Sequence, residues 1–274
     1  MRNGNEFLVS AQSKDKLPAN LVIPYGVTKI ENGAFSDCTS LASVVIPDSV
    51  TEIGYVTEFG YPIVWSKEHE IGGAFEGCMS LKSVSMPKSV TKIGDYAFKD
   101  CVSLASVKIP DGVTVIGRNA FFCCTSLRSV TIPDSVTRID SEAFSGCTSL
   151  SKVTIPDNVK EIRDRVFQDC MSLKSITIPH SVTEIGKGAF KGCTSLASVV
   201  IPRGVKYIGS SLTEISGSAF HGCKNLKILY DGTKAQWKEI YKNPVGVGSK
   251  FVVHCKDGSV IIGIAEKTAD DFAI

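Results

Sequence analysis

Several things are missing from this sequence, and each absence closes off a class of function. No charge sign dominates: 30 Lys and Arg stand against 28 Asp and Glu, mixed along the chain, for a net charge of +2. No whole-molecule field therefore draws in nucleic acid or anionic lipid, and such a partner would need a local patch. No apolar run approaches the length of a membrane span, and the opening MRNGNEFLVSAQSKDK has no apolar core of signal-peptide length, so direct membrane insertion is not expected. No N-x-[ST] sequon occurs. Neither G-x-S-x-G, H-E-x-x-H, a P-loop nor a dinucleotide fingerprint is present, and His69, His180, His221 and His254 stand in unrelated contexts. With no nucleophile, base or orienting group to assign, no catalytic residue and no cofactor are expected.

What fills the chain is one sentence written repeatedly. SLASVVIPDSVTEIG at 40–54 returns as SLKSVSMPKSVTKIG at 80–94, SLASVKIPDGVTVIG at 103–117 and SLRSVTIPDSVTRID at 126–140. Pro24, Pro47, Pro87, Pro110, Pro133, Pro156, Pro179 and Pro202 follow at intervals of 23 residues, except for one of 40. A fixed period of this size marks a solenoid, whose units bury their apolar side only against stacked neighbours. In the coil from Leu104, the residues Leu104, Val107 and Ile109 are expected to point inward and Ala105, Ser106 and Lys108 outward along a strand. Pro110 ends that strand, because it has no N–H for a ladder and forces Ile109 into extended geometry. The V-T-x-I segment is predicted to recross the core as a second extended stretch, and G-x-x-A-F-x-x-C to make a tight helical turn. At about 4.8 Å per coil the stack would be roughly 40 Å long.

The common unit, L-x-S-V-x-I-P-x-x-V-T-x-I-G-x-x-A-F-x-x-C-x-S, resembles the BspA-like leucine-rich repeats of bacterial and protozoal surface proteins over about residues 19 to 230. The resemblance implies a β-rich solenoid: a right-handed leucine-rich-repeat superhelix with a parallel sheet on one face, short helical turns, and a C-terminal cap of a helix plus a hairpin. Residues 1–18 read as an N-terminal cap segment, 19–230 as a solenoid of about eight coils, and 231–274 as the C-terminal cap. Leu21 and Ile23 look like a partial first strand, with Phe7, Leu8 and Val9 beneath it. In the C-terminal cap, Thr233 and Gln236 form a capping box, Trp237, Ile240 and Tyr241 share a helical face, and Asp257 and Gly258 turn a hairpin. Glu31, Asp140 and Arg163 occupy the Gly position that ends V-T-x-I, which reads as a preference.

Ten cysteines would suggest disulfides or metal if their positions were ignored. Cys38, Cys78, Cys101, Cys124, Cys147, Cys170, Cys193 and Cys223 each follow a Phe by three residues. Ligands strung along a line at about 4.8 Å steps cannot converge on one tetrahedral ion, and thiols side by side have poor disulfide geometry. Buried free thiols acting as small hydrophobes are expected, with Cys123 and Cys255 outside the column.

Two features carry the candidate binding residues. Outward strand positions hold Lys82, Lys108, Arg128, Lys152, Lys174 and Lys227 with Ser and Thr and no acid, while Asp48, Asp111, Asp134 and Asp157 follow the prolines. One reading is a solvated face whose two edges neutralise each other; the other is a groove for an acidic glycan or acidic protein segment. Without neighbouring aromatics, a base-stacking nucleic-acid site is not expected. The 40-residue interval contains an insertion at 55–71, YVTEFGYPIVWSKEHEI, whose Tyr55, Phe59, Tyr61 and Trp65 either pack on themselves or contact a partner. A smaller insertion lies at Gly209–Ile215. The resemblance implies an extracellular or cell-surface adhesion module, non-enzymatic and monomeric, that binds a protein or acidic glycan; a structural spacer displaying another domain, or an intracellular scaffold, are the alternatives.

Overall fold

A computed structural model of the chain describes residues 17–57, 72–209, 218–224, 226–240 and 251–262. The expectations for Phe7, Leu8, Val9, Phe59, Tyr61, Trp65 and Tyr241, and for the insertion beyond Gly209, fall outside these residues.

The repeat folds as the proline spacing requires. Each unit places a short strand before its proline, and these strands pair in parallel in three groups: Asn20–Val22, Ser43–Val45 and Ser83–Ser85; Ser106–Lys108, Ser129–Thr131 and Lys152–Thr154; and Ser175–Thr177, Ser198–Ile201 and Lys227–Tyr230. The register superposes like residues: Ser106 lies opposite Ser129, Val107 opposite Val130 and Lys108 opposite Thr131. Leu104, Val107 and Ile109 are buried, whereas Ala105, Ser106 and Lys108 are exposed. The V-T-x-I segments form a second parallel ladder on the return side of the coil, from Lys29–Ile30 and Glu52–Ile53 to Tyr207–Ile208. Between the ladders lies one continuous core, and the fold is a leucine-rich-repeat solenoid with very little helix.

The expected helical turn over G-x-x-A-F-x-x-C takes a different form. Ala120 N–H bonds to the Gly117 carbonyl and Cys124 N–H to that of Phe121, both i→i−3. Asn119 (φ 52°) and Cys123 (φ 56°), however, stand in the left-handed region on either side of Phe121 and break any helical run. This alternation frees the N–H groups of Asn119, Phe121 and Cys123 to reach the carbonyls of Ser141, Ala143 and Ser145 in the next coil. A helix would spend those donors within its own coil; the broken turn spends them on stacking.

Seven successive pairs from Phe35 to Phe220 stack with centroids 5.0 to 5.8 Å apart and rings within 10° of parallel. Beside them runs the cysteine column, whose members are buried and free. The thiols do more than fill space. From Cys78 to Cys223 each Sγ donates to the carbonyl of the Phe in the preceding coil, at 3.0 to 3.2 Å. A Val there would pack as well but leave that carbonyl with one partner fewer.

The Gly that ends V-T-x-I has a physical reason. A Cβ on Gly117 would lie 2.5 Å from Asp95 Oδ1 and 2.6 Å from the Gly94 carbonyl carbon. The return ladder is continuous from Lys29–Ile30 to Arg138–Ile139 and again from Glu161–Ile162 to Tyr207–Ile208, with no ladder pairing between the two runs. That gap lies where Asp140 and Arg163 replace glycine in successive coils. An ion pair bridges it instead: Arg163 Nη1 lies 2.7 Å from Asp140 Oδ1, and Arg138 Nε 3.2 Å from Asp140 Oδ2. Burial pushes the Asp140 carboxyl up from its ordinary value, and the two arginines offset this only in part. A carboxylate raised in the folded state contributes stability below its unfolded pKa and loses it as pH rises through the folded value, so ionised Asp140 is a net cost at neutral pH. Arg163→Ala is expected to destabilise by about 1–2 kcal/mol because it leaves a desolvated carboxylate with one partner fewer. The Asp140→Gly, Arg163→Gly double variant should match or exceed the parent in urea unfolding; a loss as large as that of Arg163→Ala would show that the pair, not the missing glycines, holds these coils.

At the C-terminal end, Lys227–Tyr230 pairs in parallel with Phe251–Cys255, which turns back antiparallel as Gly258–Ile262. That reversal ends the parallel stacking direction. The helix Lys234–Ile240 is opened by reciprocal bonds: Gln236 Oε1 accepts from Thr233 N–H at 2.9 Å, and Thr233 Oγ1 from Gln236 N–H at 3.3 Å. Its Trp237 is fully buried edge-on against Tyr230, centroids 5.3 Å apart, and lies over the last coil.

Candidate functional site

The solvent side of the first ladder is the surface on which the repeats place varied side chains over an invariant frame. One outward column, immediately after the buried Leu, reads Ala42, Lys82, Ala105, Arg128, Ser151, Lys174 and Ala197 along successive coils. Backbone bonds keep it in line: Lys82 N–H donates to Ala42 O, Arg128 to Ala105, Ser151 to Arg128, and Ala197 to Lys174. Cation and small residue thus alternate. Side chains stacked in adjacent coils stand about 4.8 Å apart, where like charges repel, and alternation widens the interval to about 10 Å. Two of the coils that skip a cation here supply one elsewhere on the face, as Lys108 and Lys152. Exposed Ser83, Ser106, Ser129 and Ser175, with Thr131, Thr154 and Thr177, fill the remaining positions with hydroxyls.

Lys82, Lys108, Arg128, Lys152, Lys174 and Lys227 are all exposed, and among the described residues none has a carboxylate within 4.0 Å. The return ladder and turns treat charge differently. Glu52 sits 3.5 Å from both Lys29 and Lys92, Glu76 is 2.6 Å from Lys99, and Glu142 is 3.3 Å from Arg165. The aspartates after the prolines do not pair with the face cations. Six residues of extended chain, up to about 20 Å, separate Arg128 from Asp134, beyond the roughly 8 Å screening length of physiological salt.

Tyr55, the one aromatic candidate among the described residues, is not brought to this face. It follows the return strand Glu52–Ile53; its N–H donates to Asn32 Oδ1 at 3.2 Å, its carbonyl accepts from Asp95 N–H at 2.8 Å, and the residue is 37% exposed. Thr57 anchors the start of the insertion, with its N–H and Oγ1 bonded to the buried Asp95 carboxylate at 3.1 and 2.7 Å. The cations and Tyr55 therefore belong to different sides of the coil.

Two surface features were not singled out from the sequence. Exposed Val22 and Val45 lie at one end of the face and Val200 and Leu229 at the other, leaving the middle without large apolar side chains. Near Val200, an open groove of about 470 Å³ runs past Asp157, Thr177, His180 and Asp231. The hydrogen bond from Lys256, at 2.7 Å, holds the Asp231 carboxyl below its ordinary value. Register alone would have located the valines, since all fall one residue after the inward Leu or Val of the strand. The groove depends on how the prolyl turns around Pro179 and Pro202 stack against Asp157 and Asp231. Among the described residues no cluster of three or more metal-ligating side chains occurs, and no helix is long and apolar enough to cross a membrane.

A stack of near-identical coils that turns one ruled surface to solvent defines the class: a repeat protein of the leucine-rich-repeat type. The family described as BspA type Leucine rich repeat region matches in six copies over residues 13–57, 70–197 and 114–229, and the chain belongs to it. Among solved structures it is similar to a leucine-rich repeat protein of T. pallidum (34% identity, 65% of this chain and 78% of that one, TM-score 0.55). It is also similar to one from Bacteroides ovatus (35% identity, 77% of this chain and 55% of that one, TM-score 0.56). No curated protein matches the sequence.

Proposed function

We propose that the chain is an adhesion module of a bacterial cell-surface or secreted protein, binding a protein or an acidic glycan through the solvent face of its first ladder. Leucine-rich repeats of this family serve as interaction modules, and no enzyme family matches. The observation that carries the reading is the contrast in charge use: among the described residues no face cation has a carboxylate partner, while Lys29, Lys92, Arg138 and Arg163 on the return side sit in ion pairs. An unpaired exposed cation contributes nothing to folding, so a ruled set of them is better accounted for by a ligand. Tyr55, Phe59, Tyr61 and Trp65 would form a second contact independent of the face. The spacer alternative draws on the unbroken Phe stack, which would make a stiff rod whatever its surface carried.

Solid-phase binding of the full chain to extracellular-matrix preparations and to whole cells separates the two. Arg128→Glu with Lys174→Glu is expected to lower binding at least about 10-fold, with unchanged circular dichroism and unfolding. Deleting 58–71 tests the aromatic contact separately. If adhesion survives both changes, the rod reading replaces the adhesion reading.

A further inference from the structure

The face has three zones, and the middle one is unlike an ordinary protein interface. Between the apolar ends at Val45 and Val200, the coils from Lys82 to Lys174 present only cations, hydroxyls and small side chains. A protein partner needs a desolvated apolar or aromatic centre, and none is offered there. What is offered is a charge repeat along the solenoid axis: Lys82, Arg128 and Lys174 in one line at every second coil, about 10 Å apart, with Lys108 and Lys152 set off from that line in the coils between. The aspartates after the prolines bound this track along the far edge of the sheet.

Resting on the reading of this face as a binding surface, we infer that its middle zone is a track for a linear acidic polysaccharide, laid parallel to the solenoid axis and perpendicular to the strands. Three observations meet in this assignment. The interval between aligned cations is that of one disaccharide, the unit over which such polymers repeat their carboxylate or sulfate. Ser83, Ser106, Ser129 and Ser175, exposed beside the cations, provide donors and acceptors for ring hydroxyls without needing a fixed sequence in the ligand. Backbone pairing holds Ser106, Lys108, Ser129 and Lys152 in one parallel sheet at the centre of the zone, so binding would order few protein groups there. An acidic peptide would satisfy the charges, but it has no ring hydroxyls to meet the serines and no apolar floor on which to seat its other side chains.

The test uses the full chain and a size series of heparin fragments, with poly-L-glutamate of matched charge as the peptide probe, by calorimetry at several salt concentrations. Heparin affinity should rise with fragment length until a fragment spans Lys82 to Lys174, then level off, with log Kd depending on log salt with a slope of about 4–5. Arg128→Glu with Lys174→Glu should weaken binding about 100-fold and reduce the slope by about 2. Lys160→Glu with Lys206→Glu, the same change in net charge on the return ladder, should shift Kd less than about twofold. Poly-L-glutamate binding as tightly as heparin, or heparin binding that ignores fragment length or weakens equally in both double variants, overturns the track. In the first of these cases the face remains a binding surface for acidic protein. If neither polyanion binds, the track fails, and adhesion by the Arg128→Glu, Lys174→Glu variant decides the wider reading: adhesion at parental strength removes it too, whereas lost adhesion leaves it standing with another ligand.

Discussion

Raising the pH from about 8 to about 10, with reductant present, is expected to unfold the protein. Burial pushes the thiols of Cys101, Cys124, Cys147, Cys170 and Cys193 far up from their ordinary value, and that of Cys223 to about 12. The sign follows from linkage. A group whose pKa is raised on folding contributes its full stability below the unfolded pKa, near 9 for a thiol, and loses it as pH climbs toward the folded value. In that window the unfolded chain releases protons that the folded chain keeps. Each thiol then removes about 1.4 kcal/mol over the whole interval from pH 8 to 10, so the six together remove roughly 8 kcal/mol across it. That loss is comparable with total stabilities of about 5–15 kcal/mol. Urea midpoints measured between about pH 7.5 and 10 should fall along a slope that steepens from near zero to between about five and six protons, and Cys147→Ala should reduce the slope at the upper end by about one. Below pH 8, thiol reagents should modify only half-buried Cys123 and Cys255 in the native protein, and all ten cysteines in urea. A midpoint indifferent to pH up to 10, or rapid native modification of the column, would mean that the sulfurs are not stacked inside.

Phe121→Ala is expected to cost about 3–5 kcal/mol and to change the shape of the unfolding curve as well as its midpoint. The ring is fully buried and stacked on both sides, 5.3 Å from Phe98 and 5.3 Å from Phe144, at 8° and 2° to them. Truncation would open a cavity that the fixed spacing of the hydrogen-bonded coils keeps from collapsing. Stability in a stacked array is close to a sum of coil terms and neighbour terms. Weakening a central neighbour term should let the coils on either side unfold separately, giving two urea transitions where the parent gives one. Phe35→Ala, at one end of the described stack, removes one stacking partner instead of two and should leave a single transition. A central loss below about 1 kcal/mol with one sharp transition would show that the rings fill space without coupling the coils.

The legible part of this protein was whatever depends on which residue stands at which phase. Pro110 after Ile109 ends a strand in any context, and alternation along Leu104, Val107 and Ile109 needs only the pleat, so strand, return and buried Cys column could all be read before any coordinates. Thr233 and Gln236 likewise identify a helix start by local chemistry. The candidate site was legible as a list but not as an arrangement. Lys82, Arg128 and Lys174 were visible as basic residues, and register made them a line; Tyr55 was visible as an aromatic beside them in the list, and the return ladder put it on another side of the coil.

Sequence alone determined the period, the inward columns and the identity of every outward side chain, because a repeat with one buried face tolerates only one phase. Tertiary structure decided what passes between coils: the left-handed residues around Phe121 that send N–H groups upward, the Cys Sγ bonds to the Phe carbonyl of the coil before, and the ion pair of Asp140 and Arg163 at the gap in the return ladder. Each is a contact between residues at least 22 positions apart. Local propensity has no bearing on such contacts; they exist only once a neighbouring coil supplies the acceptor, the charge or the backbone that a Cβ would strike.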